Sequence, residues 1–246
     1  MLGKRRKKTD LPAVCAVIVA AGSSRRMGGE NKLLLEIDGV PVLARTLSAF
    51  QKCAAIRDIV LVCREQDIMP YTELAKAFSI DKLCTVTRGG ETRTESVLAG
   101  ITAAPENAVL VAVHDGARPL ITPDLIAHTI ATLKGNIDCD GAVVAHPAVD
   151  TLKVVENGVI VGTPDRRVFW NAQTPQVFRA GIYRRAHASA LSDGFMGTDD
   201  SSLIERLGGR VLVVEGERDN IKLTVPEDYL MLAAAVRTMY MKGAEE

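Results

Sequence analysis

The most chemically informative segment is a short loop that carries three cationic side chains directly after an apolar run. Residues 16–21 read A-V-I-V-A-A, residues 22–24 read G-S-S, and Arg25, Arg26 and Lys32 follow. Small side chains let backbone N–H groups approach a phosphate oxygen, while guanidinium forks and a lysine ammonium neutralise its charge. The spacing predicts a cradle for a nucleotide triphosphate, the alternative being a strand that ends in a solvated basic turn.

A second feature is Asp115, within the sequence H-D-G-A-R-P at residues 114–119. It follows an apolar run at residues 109–113, and ligands of open α/β sheets bind at the carboxyl ends of strands. We therefore expect Asp115 to face the same crevice as the cationic loop, where one carboxylate together with phosphate oxygens suits Mg²⁺. The alternatives are that Asp115 caps a turn or pairs with Arg118. His114, a single histidine at a strand end, is expected to be structural.

Further polar segments lie where strands give way to helices. Residues 89–93, G-G-E-T-R, and Ser96 offer backbone groups and a hydroxyl to a base or ribose, although helix capping explains them almost as well. Residues 197–200, G-T-D-D, are typical of a helix N-cap. Lys222 follows a strand without an acidic partner at helical spacing, which favours anion binding.

Short apolar runs alternate along the chain with segments of helical period, which predicts a mainly parallel sheet covered by helices on both faces. The predicted strands are residues 16–21, 59–63, 83–87, 109–113, 141–145 and 211–215, and the predicted helices are residues 41–53, 69–78, 94–104, a helix from 123, and 226–240.

The pattern changes at about residues 145–175, where short alternating runs surround Asn157-Gly158, a hairpin signal. We interpret this segment as a β-arm that leaves the main sheet. Its hydroxyl and cation at Thr151 and Arg166 suggest that the arm crosses to a partner subunit in a dimer, the alternative being solvated hairpin charges.

The composition argues against several classes of protein, among them nucleic-acid-binding and membrane proteins. The 246 residues carry 30 Lys+Arg and 30 Asp+Glu, so no global field recruits nucleic acid or an anionic membrane. The five cysteines include no C-x-x-C pair, which fits reduced thiols. No stretch approaches the roughly 18 to 20 apolar residues of a membrane span, and no apolar leader is evident. We expect a cytoplasmic protein with one domain at residues 13–246, preceded by a disordered basic arm at residues 1–12.

The motifs taken together resemble those of the 2-C-methyl-D-erythritol 4-phosphate cytidylyltransferase family. In chain order, they are A-A-G-S-S-R-R-M, N-K-L, G-G-E-T-R, S-V-L-A-G, H-D-G-A-R-P, D-T-x-K, T-P-D-R, T-P-Q, T-D-D and E-G-x-x-D-N-I-K-x-T-x-P-E-D, and they span roughly residues 13 to 240. The opening is shared with molybdopterin nucleotidyltransferases, whereas the later motifs are not.

This resemblance implies a Rossmann-like nucleotidyltransferase sheet with a protruding β-arm, transfer of CMP from CTP to methylerythritol phosphate, a divalent cation such as Mg²⁺, and a homodimer. It implies that Arg26 and Lys32 stabilise the transition state, that Arg166 and Lys222 position the acceptor, and that Asp115 lies near Mg²⁺ and substrate. The implied nucleotide-binding residues are Ala20, Ala21, Gly22, Ser23, Ser24, Arg25, Gly90, Glu91 and Ser96, and the implied substrate-binding residues are Asp115, Arg118, Thr151, Thr174 and Thr198.

Two positions depart from the family pattern: Ser24 stands where many members have glycine, and Asn31 replaces a common proline before Lys32. Three alternatives stay open at this point. They are a cytidylyltransferase that uses ribitol 5-phosphate, a molybdopterin nucleotidyltransferase, and a nucleotide-binding regulator without catalysis.

Overall fold

The computed structural model describes residues 13–243, apart from the side chains of Arg25 and of residues 239–243. The basic arm predicted at residues 1–12 lies outside this part of the chain. The strands are β1 (Ala13–Ala20), β2 (Glu36–Ile37), β3 (Val40–Pro41), β4 (Asp58–Cys63), β5 (Leu83–Arg88), β6 (Ala108–Asp115), β7 (Gly141–Pro147), β8 (Val154–Glu156), β9 (Val159–Gly162), β10 (Trp170–Arg179) and β11 (Val211–Glu215).

Seven α-helices lie within these residues: α1 (Val42–Lys52), α2 (Ile68–Ala77), α3 (Arg93–Ala103), α4 (Pro123–Gly135), α5 (Ala180–Ser192), α6 (Ser201–Arg206) and α7 (Pro226–Gly243). None of them combines the length and the apolar character needed to cross a lipid bilayer. The strands and helices predicted from apolar runs and helical period match elements of the structure, with ends that differ by a few residues.

The central sheet has seven strands in the order β11-β7-β10-β6-β1-β4-β5. Every neighbouring pair is parallel except the two pairs that involve β10, which runs antiparallel to both β6 and β7. Strands buried on both faces read as continuous apolar runs, which is why β1, β4 and β6 were recognisable in the sequence. The predicted mainly parallel α/β sheet is confirmed.

Helices cover both faces of this sheet because alternate side chains of each strand point to opposite sides. In β1, Val14, Ala16 and Ile18 join an apolar cluster with helices α1, α2, α4 and α7. Cys15 and Val17 point the other way, into a second cluster with α3, α5 and α6. This burial on both sides fixes the position of the loop that follows β1.

The β-arm was predicted too long, because residues 170–175 belong to the main sheet as part of β10. The pairing register with β7 shifts between Ala172 and Gln176, so a bulge that contains Pro175 interrupts an interior strand. A proline normally argues against a central strand, since it cannot donate a ladder hydrogen bond. The bulge accommodates the proline, so the alternating run that suggested an arm continues into the sheet.

The hairpin within this segment does form. Strands β8 and β9 pair in a separate two-stranded sheet, and Asn157 and Gly158 between them have φ angles of 50° and 81°. Such left-handed angles at two successive positions are those of the tight hairpin turn that Asn-Gly favours. Most residues of the hairpin are exposed.

We predict that Gly100→Ala destabilises the protein, although alanine favours helices more than glycine does. A Cβ at position 100 in α3 would lie 2.3 Å from Val17 Cγ1 and 2.8 Å from Val62 Cγ2. Overpacking of this kind costs about 1–3 kcal/mol. Gly181→Ala in α5 is the control, because no atom lies within 4 Å of its Cβ position. Urea unfolding should show a loss for the first variant and none for the second; equal curves would contradict the packing argument.

Candidate active site

A cavity of about 660 Å³ opens where β1 and β6 end side by side in the sheet. Parallel strands that end together leave a crevice at their carboxyl edge, where ligands of such sheets bind. Its walls come from the loop after β1, the turn before α3, the end of β6 and the segment before α7. The lining residues are Val19, Ala20, Ala21, Gly22, Ser23, Ser24, Arg26, Lys32, Leu33, Gly90, Glu91, Thr92, Arg93, Ser96, Asp115, Ala117, Lys222 and Thr224.

The loop after β1 turns at Ser24, whose φ of 52° and ψ of 26° are left-handed. Its carbonyl accepts hydrogen bonds from Met27 N (2.9 Å) and Gly29 N (3.3 Å), which closes a short 3₁₀ turn over residues 25–27. A residue other than glycine pays a steric cost in this region. The departure from glycine noted in the sequence thus falls on the position where the loop reverses.

Lys32 reaches across the cavity mouth. Its Nζ donates a 2.5 Å hydrogen bond to the carbonyl of Leu223, which follows Lys222 in the opposite wall. Burial, together with the nearby charges of Lys222 and Arg26, lowers the pKa of Lys32. Cations held this close to one another form a site with a standing preference for an anion.

Asp115 is the acidic counterpart of these cations. Its carboxylate oxygens lie 2.9 Å from Lys222 Nζ, 3.5 Å from Arg118 Nε and 3.6 Å from Arg93 Nε. Burial acts to raise the pKa of Asp115, but Lys222, Arg93 and Arg118 outweigh it and hold the pKa well below its usual range. The carboxylate is therefore ionised at every physiological pH.

A buried hydrogen-bond chain supports Asp115 from below. His114 Nε2 donates to the Arg118 carbonyl (3.2 Å), so its Nδ1 accepts the hydroxyl proton of Thr174 (3.0 Å). Thr174 Oγ1 in turn accepts from the backbone N–H of Asp115 (3.1 Å). Burial lowers the pKa of His114 to about 3, which keeps the ring neutral. His114 is structural, as expected.

Arg93 is a cavity residue that sequence reasoning did not single out. Its guanidinium lies between Asp115 and the buried Asp200, whose Oδ2 is 2.7 Å from Arg93 Nη2. Tyr183 donates a 2.6 Å hydrogen bond to the other oxygen of Asp200. Asp200 was interpreted as part of a helix cap because it precedes α6, and only packing shows that its side chain faces Arg93.

The turn before α3 forms another part of the cavity wall. Thr92 and Glu95 make a reciprocal capping box, and Glu95 Oε2 also accepts from Glu91 N at 2.8 Å. Ser96 Oγ donates to the Thr92 carbonyl at 2.9 Å and remains able to accept. Capping and cavity lining, weighed as alternatives in the sequence, are both present in the same turn.

The structure brings twelve of the expected site residues into this cavity: Ala20, Ala21, Gly22, Ser23, Ser24, Arg26, Lys32, Gly90, Glu91, Ser96, Asp115 and Lys222. The side chain of Arg25 lies outside the described part of the chain. Arg118 and Thr174 sit behind the cavity wall, engaged with Asn220 O and with the Asp115 backbone respectively.

Three other expected residues lie away from the cavity lining. Thr151, Arg166 and Thr198 are exposed. Arg166 follows the hairpin, and its Nη1 donates to the Val149 carbonyl at 2.6 Å within the same segment. Their placement in one chain gives them no contact with the cavity.

Asp115 is the carboxylate of the cavity best placed for a divalent cation. The described residues contain no cluster of three or more His, Cys, Asp or Glu side chains arranged to hold a metal on their own. Mg²⁺ is commonly held by one or two carboxylates together with substrate phosphates. Asp115 therefore fits a magnesium site that a bound triphosphate completes, because its Oδ1 has only a long 3.6 Å contact with Arg93.

The chain is similar in sequence to known proteins over most of its length. The family model described as 2-C-methyl-D-erythritol 4-phosphate cytidylyltransferase matches residues 14–238. Proteins of that name from Geotalea uraniireducens and Bacillus licheniformis are 43% and 44% identical over 231 and 220 residues; the alignments cover 92% and 89% of this chain and 97% and 93% of those proteins.

Solved structures give the same result. The crystal structure of 4-diphosphocytidyl-2C-methyl-D-erythritol synthase from Anaerococcus prevotii has a TM-score of 0.82 at 30% identity, covering 92% of this chain and 96% of that chain. A 2-C-methyl-D-erythritol 4-phosphate cytidylyltransferase from Thermus thermophilus has a TM-score of 0.73, also at 30% identity, with 90% and 98% covered.

We predict that Thr174→Val lowers the free energy of unfolding by about 1–3 kcal/mol, because it leaves the buried Asp115 N–H and His114 Nδ1 without their partner. Thr174→Ser is the control, since it retains the hydroxyl and removes one methyl group, at a cost of about 1 kcal/mol. Urea unfolding of both variants measures the difference. Equal destabilisation would show that the methyl group, not the hydroxyl, matters.

Proposed function

Because the chain belongs to the 2-C-methyl-D-erythritol 4-phosphate cytidylyltransferase family, it transfers CMP from CTP to 2-C-methyl-D-erythritol 4-phosphate in isoprenoid biosynthesis, and we propose which of its residues perform that reaction. The products are 4-diphosphocytidyl-2-C-methyl-D-erythritol and pyrophosphate. The observation that carries the assignment is the convergence of Arg26, Lys32 and Lys222 on the cavity that Asp115 faces.

The chemistry needs alignment more than proton transfer. An oxygen of the acceptor phosphate, already anionic, attacks the α-phosphorus of CTP in line with the departing pyrophosphate. Negative charge accumulates on the α-phosphate oxygens in the transition state. Cations already fixed beside these oxygens stabilise that charge without having to move during the reaction. Arg26 and Lys32 are assigned this role because both lie in the loop after β1 and line the cavity.

The nucleotide is assigned to two loops that line the cavity, the loop after β1 and the turn before α3. The backbone of residues 20–25 receives the phosphates, as small residues permit. Gly90, Glu91 and Ser96 receive the base and ribose, and the capping box holds their turn in one conformation. A preformed turn reduces the entropy lost when the nucleotide binds.

Asp115 is proposed as the residue that would hold Mg²⁺ when a triphosphate is bound. When bound, the cation neutralises phosphate charge. The residues around Asp115 set its ionisation and direction, since Lys222 and Arg118 occupy one oxygen. Lys222 is also proposed to position the phosphate of the acceptor, for which its partly exposed, cationic side chain is suited.

Arg118 and Thr174 are reassigned from direct substrate contact to support. Arg118 Nη1 donates a 2.6 Å hydrogen bond to Asn220 O, two residues before Lys222. Thr174 holds the Asp115 backbone. Each fixes a neighbour of the substrate, while the exposed Thr198 remains a proposed contact of the acceptor.

We propose that the enzyme is a homodimer in which the β-arm of one subunit completes the site of the other. The arm, residues 148–169 in the structure, exposes Val155, Ile160 and Val168, each more than half accessible. Large apolar side chains exposed together on one segment are typical of an interaction site. Arg166 and Thr151 on the same segment would then reach the acceptor in the partner's cavity.

We also propose that residues 13–246 form a single domain and that the protein is cytoplasmic.

We predict that Lys32→Ala lowers kcat by about 10²- to 10³-fold, the usual effect of removing one preorganised charge from a transition state. Pyrophosphate release from Mg-CTP and methylerythritol 4-phosphate measures it, beside ribitol 5-phosphate and a reaction without acceptor. Lys76→Ala is the control, because Lys76 is exposed and pairs with Glu73 on α2. Near wild-type turnover of Lys32→Ala would remove this lysine from the mechanism.

Complementation tests the arm. Arg166→Ala and Lys32→Ala are each expected to be nearly inactive, but subunits of the two variants, unfolded and refolded together, form mixed dimers with one intact site. Random pairing should restore about one quarter of the wild-type sites. Recovery by the mixture, absent when each variant is refolded alone, supports the crossed arm. No recovery despite mixed dimers in native mass spectrometry would place Arg166 and Lys32 in one subunit's site.

A further inference from the structure

We infer that Asn31 is a positioning residue, which holds the loop segment that carries Lys32 through a hydrogen-bond network with Asp67 and Tyr71. The inference rests on the proposed role of Lys32 and adds residues to which no part of the reaction has been assigned. Asp67 and Tyr71 lie at the start of α2 and far along the chain from the loop after β1.

The side chain of Asn31 uses both ends of its amide. Nδ2 donates to Asp67 Oδ1 at 3.2 Å, and Oδ1 accepts from the Tyr71 hydroxyl at 3.0 Å and from Leu33 N at 3.3 Å. A carboxylate only accepts, and the Leu33 amide only donates. These partners therefore define the orientation of the Asn31 amide.

The network is anchored in the folded core. Asp67 is 6% exposed and Tyr71 is 1% exposed, and Arg64 Nε lies 2.6 Å from the second oxygen of Asp67. Burial raises the pKa of Tyr71, so its hydroxyl remains a donor. Around Asp67, the charged and titratable neighbours are Arg64, Tyr71 and Cys63, and burial raises the pKa of the Cys63 thiol to about 11.

Charge explains why a neutral amide suits position 31. Asp67 has one cationic partner, Arg64, and its remaining oxygen needs a donor. A carboxylate at position 31 would face Asp67 Oδ1 at hydrogen-bond distance, and two carboxylates that share a site raise the pKa of one of them. An amide supplies the donor without a charge.

The connection to the cavity is short. Lys32 lies between Asn31, which is tied to α2, and Leu33, which is buried in the core. Leu34 N donates to the Asn31 carbonyl at 2.9 Å, which closes the turn. The backbone of Lys32 is thus held on both sides, and its Nζ extends to the opposite wall at Leu223 O. A shift of about 1 Å in a catalytic group costs up to 10²-fold in rate.

The experiment compares Asn31→Ala, Asn31→Asp, Asp67→Asn and the double exchange Asn31→Asp/Asp67→Asn. We expect Asn31→Ala to lower kcat about 10- to 100-fold. At pH 8, kcat of Asn31→Asp should be as low as that of Asn31→Ala. Below about pH 6, the ratio of its kcat to that of wild type should rise, because a proton shared by the two carboxylates replaces the amide donor. The exchange restores one carboxylate and one amide, so it should return to within about threefold of wild type without that pH dependence.

Several outcomes overturn the inference: kcat of Asn31→Ala near wild type, an exchange variant no better than Asn31→Asp, or an Asn31→Asp profile parallel to that of wild type. Circular dichroism and thermal melting verify that each variant is folded. If Asn31→Ala does not fold, Tyr71→Phe, which removes one hydroxyl from the network, replaces it and should lower kcat.

Lys32→Ala separates this inference from the proposed function. If Lys32→Ala retains turnover, the role of Lys32 fails, whatever the Asn31 variants do. If Lys32→Ala is inactive and the exchange does not rescue, the positioning role alone fails. Addition of Asn31→Ala to Lys32→Ala should cause little further loss, because the two residues act on the same interaction; independent losses would overturn the inference.

Discussion

The ionised carboxylate of Asp115 is the charge on which the arrangement of the cavity depends. Three cations from different parts of the chain lie around it: Arg93 from α3, Arg118 from the turn after β6, and Lys222 from the segment before α7. A buried carboxylate without partners would be costly, and cations this close to one another would repel. Each sign therefore makes the burial of the other possible, and the result is a cationic cavity at the end of a sheet.

The sheet supplies the rigidity that this charge cluster needs. Asp115 pairs with Val19 in the register of β6 and β1, so Asp115 and the start of the phosphate loop lie side by side at the same edge of the sheet. Strand β10 runs beside β6 in the opposite direction and brings Thr174 under the Asp115 backbone. Thr174 donates a hydrogen bond to His114 and accepts one from the Asp115 N–H, so an interior strand fixes the position of Asp115 in the site.

Positioning extends outward in the same manner. Arg93 is held on its far side by the buried Asp200, which Tyr183 also contacts. Lys32 is held by the turn that Asn31 ties to α2. These two cations of the cavity thus rest on neutral or oppositely charged groups in the core, so that their geometry is set before the substrate arrives. The arm differs, because its apolar and cationic residues face solvent within one chain.

Most of the elements and much of the cavity were predictable from the sequence, because both depend on local patterns. Apolar runs identified β1, β4 and β6, and small residues followed by cations identified the phosphate loop. The Asn-Gly pair marked the hairpin, since two successive left-handed residues suit few other sequences.

The tertiary structure alone decided what depends on contacts between distant parts of the chain. Short alternating runs suggested that residues 170–175 lie in the arm, whereas the structure keeps them in the sheet around a bulge. Asp200 resembled a cap until packing placed it against Arg93, and Lys222 lacked a local acidic partner until the fold brought Asp115 to it. Local sequence determines which backbone conformations are favourable, but the pairing of buried charges is determined by which strand ends meet, because their interaction depends on distance in space rather than along the chain.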